Sequence, residues 1–541
     1  MGKKAKVTIN PDYKISKVED RIFGAFLEPI RSWVYGGIYN PRHPEADELG
    51  FRQDIIRAVR EFGVPAVRLP GGNFVSGWDW RDSIGPVEKR KAHLDLAWRQ
   101  YEPNLVGHDE YIEWTKRAGV EPLYTINLGT GDINSAIECI EYSNHPGGTY
   151  WSDLRKKNGH PEPYGIKIWY LGNEADGPWQ IRSWERDPKG YGVLAHETSK
   201  AMKWVDPSIE TVACVSSSPY SRRYPQWDVE VLEQCYETVD YISLHHYHGA
   251  PVGNLEAFLN ASSEYEKYIN TEIAVCDYIK AKLRTDKTMM LSFDEYAVMF
   301  REQGDTFVGR AGNIPFSHFT DGSKNRPFLY FDPNSSEPDS FMQRIQQSQV
   351  LNALVTASII MTFIRHADRV KIACMTGGIH GAIAFDNRHV WKSAAYYVYH
   401  LLYKYGRGMS ILPAVDSPRF DVPGYDINGF MQCPPYEGVQ SVEAAAVMDE
   451  EKGEASIFLL NRDINDDIQV TLDVRGFEGY KLAEHIEFYS EDLNAGNTYE
   501  NPDNVKPVVN AETKMDSGKI TFSAKKLSWN IIRLKRDKMY F

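Results

Sequence analysis

Two apolar runs of this chain end in a carboxylate beside a second polar residue, Leu171-Gly-Asn173-Glu174 and Ser292-Phe-Asp294-Glu295. Paired carboxylates can cleave a glycosidic bond if one stays protonated to donate to the leaving oxygen while the other stays ionised to attack the anomeric carbon. Similar runs end in Glu28, in Arg68-Leu-Pro-Gly-Gly-Asn73 and in His245-His-Tyr247-His248. Gathered at one mouth, five such ends suit a retaining glycosidase, whose carboxyl groups stand about 5–5.5 Å apart. Arg68 would keep one of the two carboxylates ionised.

The ends meet only if the runs are neighbouring parallel strands. Strand-like runs cover 22–28, 65–69, 121–127, 166–173, 210–215, 239–245, 288–294 and 370–374. Helical patterns lie between them, at 52–62, 108–118, 191–204, 255–282 and 341–366. In the first of these, Ile55, Ile56, Val59 and Phe62 recur on one helix face. Eight strands alternating with helices, and apolar on both faces, predict a (β/α)8 TIM barrel over residues 18–408. Past Gly408 the texture changes to short β-type runs at 441–448, 454–461, 467–474, 519–523 and 527–534, separated by polar clusters. They predict a jelly-roll-like β-sandwich over 409–541. Alternation at 6–10 adds residues 1–17 to it as an N-terminal strand. The segment 304–340 reads as a long loop after strand seven, on the face where barrel active sites sit.

Each feature also has a plainer reading. Asn173-Glu174 resembles a helix cap, and Arg68 resembles a structural partner for a buried acid. The Pro70-Gly71-Gly72 turn lacks both nucleotide-loop fingerprints. Strand alternation sends His245 and His246 to opposite faces, and no acid or cysteine at ligand spacing accompanies them, so neither a metal nor a cofactor is expected. Trp78, Trp80, Trp98 and Trp179 are flat enough to stack on sugar rings, though most tryptophans simply pack. Co-occurrence of the five polar ends favours catalysis over capping. With 61 basic against 74 acidic residues, the net charge is -13 and no basic stripe is present, which speaks against a nucleic-acid partner. The longest nearly apolar run, 351–364, is too short to span a bilayer. No signal-peptide pattern follows Met1, and the six cysteines lie far apart, so a soluble cytoplasmic protein with reduced thiols is expected.

The sequence resembles the α-L-arabinofuranosidases of glycoside hydrolase family 51, almost end to end. The matching stretches are Val34-Tyr-Gly-Gly-Ile-Tyr39, Arg68-Leu-Pro-Gly-Gly-Asn73-Phe-Val-Ser-Gly77, Leu94-Asp-Leu-Ala-Trp98 and Leu171-Gly-Asn-Glu-Ala-Asp-Gly-Pro-Trp-Gln180. Further on they are Tyr241-Ile-Ser-Leu-His245, Leu291-Ser-Phe-Asp-Glu295, Tyr405-Gly-Arg-Gly408 and Lys526-Leu-Ser-Trp-Asn-Ile-Ile-Arg-Leu534. The resemblance implies an exo-acting, retaining enzyme that releases terminal α-L-arabinofuranosyl groups from oligosaccharides. It implies Glu174 as acid/base and Glu295 as nucleophile. Glu28, Arg68, Asn73, Asn173, Tyr247, Trp179 and His380 are expected to bind substrate or orient the nucleophile. It further implies a metal-independent, intracellular homo-oligomer, commonly a hexamer.

Some positions depart from the family pattern. Where the family usually reads Trp-Asn-Val-Trp, this chain has Tyr296-Ala297-Val298-Met299, and Pro29 replaces a histidine. Gly377-Gly378-Ile379-His380 stands where a glutamine commonly reaches the C5 hydroxyl. These changes predict a −1 subsite enlarged beside C5 at Gly378, refilled by His380 or by the 304–340 loop. Such a subsite would admit β-D-galactofuranose. Other readings are a glucan- or xylan-cleaving family member, a non-catalytic carbohydrate-binding barrel, and a metal-dependent hydrolase built on the strand-six histidines.

Overall fold

The computed structural model describes residues 2–251, 253–298, 349–427 and 431–536; the 304–340 segment and Met299 lie outside them. Eight parallel strands close into a barrel in chain order. They are Gly24–Phe26, Ala66–Leu69, Glu121–Ile126, Ile168–Leu171, Glu210–Cys214, Tyr241–His248, Met290–Val298 and Val370–Thr376. All eight expected runs are present. Ala66–Leu69 and Ile168–Leu171 are buried at every position, because barrel strands face side chains on one side and helices on the other. Strands six and seven run on past their expected ends. Their extensions pair Glu295 with His245, Tyr296 with His246 and Ala297 with Tyr247, which brings the polar ends of both strands into the wall itself.

The intervening helices follow the apolar spacing. Gln53–Phe62 buries Ile55, Ile56, Val59 and Phe62 and stops at Gly63, whose φ of 89° a side-chain-bearing residue rarely adopts. The expected 255–282 helix is divided into Leu255–Leu259 and Ala261–Leu283.

The C-terminal part is strand-rich: one ten-stranded sheet with a core of its own is accompanied by two two-stranded sheets where a sandwich was expected. The N-terminal strand Lys3–Lys17 lies inside that sheet. It pairs antiparallel with Met409–Asp416 and parallel with Ile468–Asp473, so that Val7 stands opposite both Val415 and Leu472. Strand Val442–Asp449 is buried on both faces: Ala444, Ala446 and Met448 enter the sheet's own core, whereas Ala445 and Val447 join the barrel core. Helix Val350–Arg365 fills the seam between barrel and sheet and is buried almost throughout. That placement explains an apolar run too short for a bilayer. No helix among the described residues is long and apolar enough to cross a membrane. A buried ion pair, Arg462 with Glu443, joins the two parts and is hydrogen-bonded by Ser262 and Ser358 from barrel helices.

Candidate active site

Arg68, at the end of strand two, is wholly buried and organises the mouth of the barrel. Its Nη1 donates to Glu295 Oε1 at 2.6 Å and its Nη2 to Asn173 Oδ1 at 2.7 Å. Its Nε stands 3.0 Å from Asp294 Oδ2, an ion-pair contact without hydrogen-bond alignment. The guanidinium is held between the rings of Phe26 and Tyr170, at 5.3 and 4.9 Å. Asn173 then donates from Nδ2 to Asn73 Oδ1 at 3.1 Å, and Gln180 donates to the same oxygen. One cation thus connects strands two, four and seven.

Glu174 adopts φ = 43°, a left-handed conformation costly for a non-glycine residue and typical of functional turns. Its Oε2 accepts from the indole of Trp179 at 2.6 Å. Gly177 leaves room for that indole, since a Cβ there would lie 2.5 Å from the ring. Glu295 Oε2 accepts from the Tyr247 hydroxyl at 2.5 Å. Burial and the charge of Glu174 hold Glu295 above the ordinary carboxylate range, against the opposing pull of His245 and Arg68. The two glutamates present oxygens within 4.8 Å of each other, with His245 between them.

His245 Nδ1 stands 2.9 Å from Glu174 Oε1, and its Nε2 stands 3.1 Å from Asp294 Oδ2. Asp294 is buried, yet Arg68 and His245 hold it below the usual range. Burial alone would lower the His245 pKa, but the charges of Glu295 and Asp294 raise it to about 10. A raised cation stabilises the fold fully below the unfolded value of about 6.5, and that contribution is lost as pH climbs through the folded value. The difference in Tm between the native chain and His245→Asn should therefore be largest near about pH 6 and shrink towards about pH 10. Calorimetry at both ends of this window tests it; a constant difference would mean a neutral ring.

Glu28 explains the glycine turn. Its Oε1 accepts from the Phe74 backbone N–H at 2.7 Å and from the Trp98 indole at 2.8 Å. Gly72 has φ = 91°, and a Cβ there would lie 2.3 Å from the Glu28 carboxyl. The turn therefore wraps a carboxylate closely rather than cradling a phosphate. Burial, and then the charge of Glu295, hold Glu28 well above the ordinary range. Gly72→Ala should displace Glu28 and lower kcat/KM by about 10- to 100-fold, with a modest loss of Tm. Steady-state kinetics on a folded variant checks this.

Of the expected site residues, Arg68, Asn73, Asn173, Glu174, Trp179, Tyr247 and Glu295 belong to one hydrogen-bonded constellation, in which Gln180 and His245 take part. Glu28 is held separately, by Phe74 and Trp98. His380 stands apart. It is fully buried, stacked on Trp33 with ring centroids 4.6 Å apart and bonded through Nε2 to the Trp33 carbonyl. Gly378 is buried and fits closely against the barrel wall, where a Cβ would meet Ala25 Cβ at 3.1 Å. Tyr296 points outward against Phe363, and the inward position beside Tyr247 is Ala297. Trp78 and Trp80 pack in the core and donate to Asn104 and Ser135. Asp294, His245 and Gln180 were not among the expected site residues. Among the described residues, two groups bring three metal-ligating atoms within 4.8 Å of one another: Glu174, His245 and Glu295 at this mouth, and His246, His248 and Glu264 outside the barrel.

Two family models match the chain: the α-L-arabinofuranosidase 1 domain over residues 58–270 and the α-L-arabinofuranosidase C-terminal domain over 294–528. The chain is 41% identical over 539 residues to the intracellular exo-α-(1→5)-L-arabinofuranosidase 1 of Bacillus subtilis, covering 99% of this chain and all of that one. It is 40% identical to an intracellular exo-α-(1→5)-L-arabinofuranosidase of Acetivibrio thermocellus, over 98% of this chain and 99% of that one. Among solved structures, a family 51 α-L-arabinofuranosidase from Bifidobacterium longum superposes with a TM-score of 0.84 at 31% identity, covering 98% of this chain and 100% of that one. An arabinose complex of the Thermotoga maritima enzyme superposes with a TM-score of 0.82 at 28% identity, with the same coverage.

Proposed function

The chain belongs to the α-L-arabinofuranosidases of glycoside hydrolase family 51, and from that premise we propose that it is a retaining exo-α-L-arabinofuranosidase acting on short oligosaccharides. The observation that carries the retaining mechanism is the approach of Glu174 and Glu295 oxygens to within 4.8 Å. Inverting enzymes hold their carboxyl groups about 6.5–9.5 Å apart to leave room for a water. In the first step Glu295 attacks the anomeric carbon while Glu174, as general acid, gives a proton to the departing glycosidic oxygen. In the second, Glu174 takes a proton from water, the water oxygen bonds to the anomeric carbon, and Glu295 leaves as a carboxylate.

Arg68 and Tyr247 orient Glu295 through its two oxygens. Asn173, fixed by Arg68 and Asn73, offers its amide to the sugar 2-hydroxyl, a contact that tightens as the ring approaches an oxocarbenium ion. Glu28, with Oε1 committed to two N–H donors, presents Oε2 to a further hydroxyl. A paired acid and nucleophile set against an arginine is more than a sugar-binding barrel needs. A cytoplasmic location and a hexameric assembly complete the proposal.

The test is the anomeric configuration of the first product, followed by NMR during hydrolysis of an aryl α-L-arabinofuranoside, with an aryl β-D-galactofuranoside run beside it. Retention with a clear arabinoside preference is the expected result. Inversion would remove Glu295 as nucleophile, and a galactofuranoside preference would move the specificity to the space beside Ala297.

A further inference from the structure

Strand six carries histidines on both of its faces. His245 enters the active site, whereas His246 and His248 point out of the barrel towards Glu264 of helix Ala261–Leu283. All three outer residues are buried, at 1%, 0% and 3% exposure. His246 Nε2 and His248 Nδ1 each stand 3.2 Å from the same oxygen, Glu264 Oε2. The Tyr220 hydroxyl reaches that oxygen as well, at 2.9 Å. The other oxygen, Oε1, accepts from Tyr425 at 2.9 Å and lies 3.0 Å from Cys433 Sγ, both on the hairpin formed by Tyr425–Ile427 and Met431–Cys433.

His248 Nε2 stands 2.9 Å from the Phe258 carbonyl, which only accepts, so that nitrogen donates. Its other ring nitrogen, Nδ1, faces Glu264 Oε2, which has the Tyr220 hydroxyl and a second imidazole nitrogen beside it. Imidazole anchored through its far nitrogen to a backbone carbonyl is the arrangement that orients histidine as a metal ligand. The two 3.2 Å separations equal, within about 0.1 Å, the edge of a tetrahedron with bonds of about 2.0 Å.

We propose that His246, His248 and Glu264 bind one divalent transition-metal ion, with zinc favoured by the two-imidazole, one-carboxylate donor set. Glu264 binds through Oε2, and Tyr425 and Cys433 hold its other oxygen in place. Two lone pairs and one carboxylate bind the ion, and any proton on the metal-facing imidazole nitrogens is released to solvent. The site is structural: it fastens strand six, helix Ala261–Leu283 and the Tyr425–Cys433 hairpin to one point on the barrel's outer wall. It is separate from the hydrolytic mechanism, which uses the opposite face of the same strand.

The test uses the full-length chain expressed with added zinc and dialysed against metal-free buffer. Mass spectrometry of the elements should find about one zinc per chain, falling below about a tenth in His246→Ala and His248→Ala and unchanged in the His196→Ala control. The metal-free chain should take up Co2+ with the intense visible bands of a tetrahedral site. It should also lose Tm relative to the zinc-loaded chain while keeping its initial rate on an aryl arabinofuranoside. If either variant fails to fold, anomalous scattering at the zinc edge from the native chain decides: a peak between His246, His248 and Glu264 supports the site. A peak elsewhere overturns the proposal, as does a native chain that neither retains zinc nor binds Zn2+ or Co2+.

Discussion

Glu295→Gln should reduce kcat by at least about 10⁴-fold on every substrate, whatever its leaving group. The substitution keeps the shape of the side chain, so its carbonyl oxygen can still accept from Arg68 and the barrel wall stays packed. It removes the negative charge that makes the carboxylate a nucleophile, and no neighbouring group replaces it. Asp294 is fully buried and paired with Arg68 and His245, and Glu28 is tied to Phe74 and Trp98. Single-turnover kinetics should show no burst of aryl alcohol, with a Tm close to that of the native chain. Retention of more than about one hundredth of the native rate would remove Glu295 from the role of nucleophile.

Glu174→Ala should give a loss that depends on the leaving group. On oligosaccharides, whose departing alkoxide needs a proton, kcat/KM should fall about 10³- to 10⁴-fold. On a dinitrophenyl glycoside, which leaves without help, kcat/KM should stay within about tenfold while kcat falls, because the second step has lost its base. Added azide needs no general base and should restore turnover, giving the arabinofuranosyl azide with retained configuration. Equal losses on both substrates, with no azide effect, would show that Glu174 does not handle the proton. His245 makes a sharper comparison possible. Its Nδ1 stands 2.9 Å from Glu174 Oε1, so His245→Asn should shift the basic limb of the pH–rate profile without changing the dependence on leaving group.

The barrel was legible because its strands are short runs of apolar, β-branched residues separated by helices of clear period, such as Gln53–Phe62. The catalytic pair was legible because Asn173-Glu174 and Asp294-Glu295 end two such runs. What stayed hidden depends on register and on distant partners. Trp98 is 70 residues from the Glu28 that it bonds, and nothing in its neighbourhood distinguishes it from a packing tryptophan. His245 stood among three histidines of one strand, and only the pairing of His245 with Glu295 shows which face each occupies. Glu264 and Cys433 have no motif spacing to those histidines because a helix and a separate hairpin deliver them. Strand Tyr480–Phe488 reads as polar because its exposed face carries lysine and glutamate while Ile486 and Phe488 pack inward. The close fit of Gly378 against Ala25 was equally hidden, because strand Gly24–Phe26 lies more than 300 residues earlier in the chain.

The position of the first strand bears on synthesis of the chain. Lys3–Lys17 is made well before either of its partners, and Met409–Asp416 is made before Ile468–Asp473. At about 5–20 residues per second, roughly 25 to 95 seconds separate Lys3–Lys17 from Ile468–Asp473 on the ribosome. Until Met409–Asp416 has been made, the strand is an unpaired β-segment, the kind of edge that recruits other chains. Its lysines, at positions 3, 4, 6, 14 and 17, keep the nascent segment charged and apart from its neighbours on a polysome. The barrel, whose strands lie between Gly24 and Thr376, can therefore close before Lys3–Lys17 has its place in the sheet.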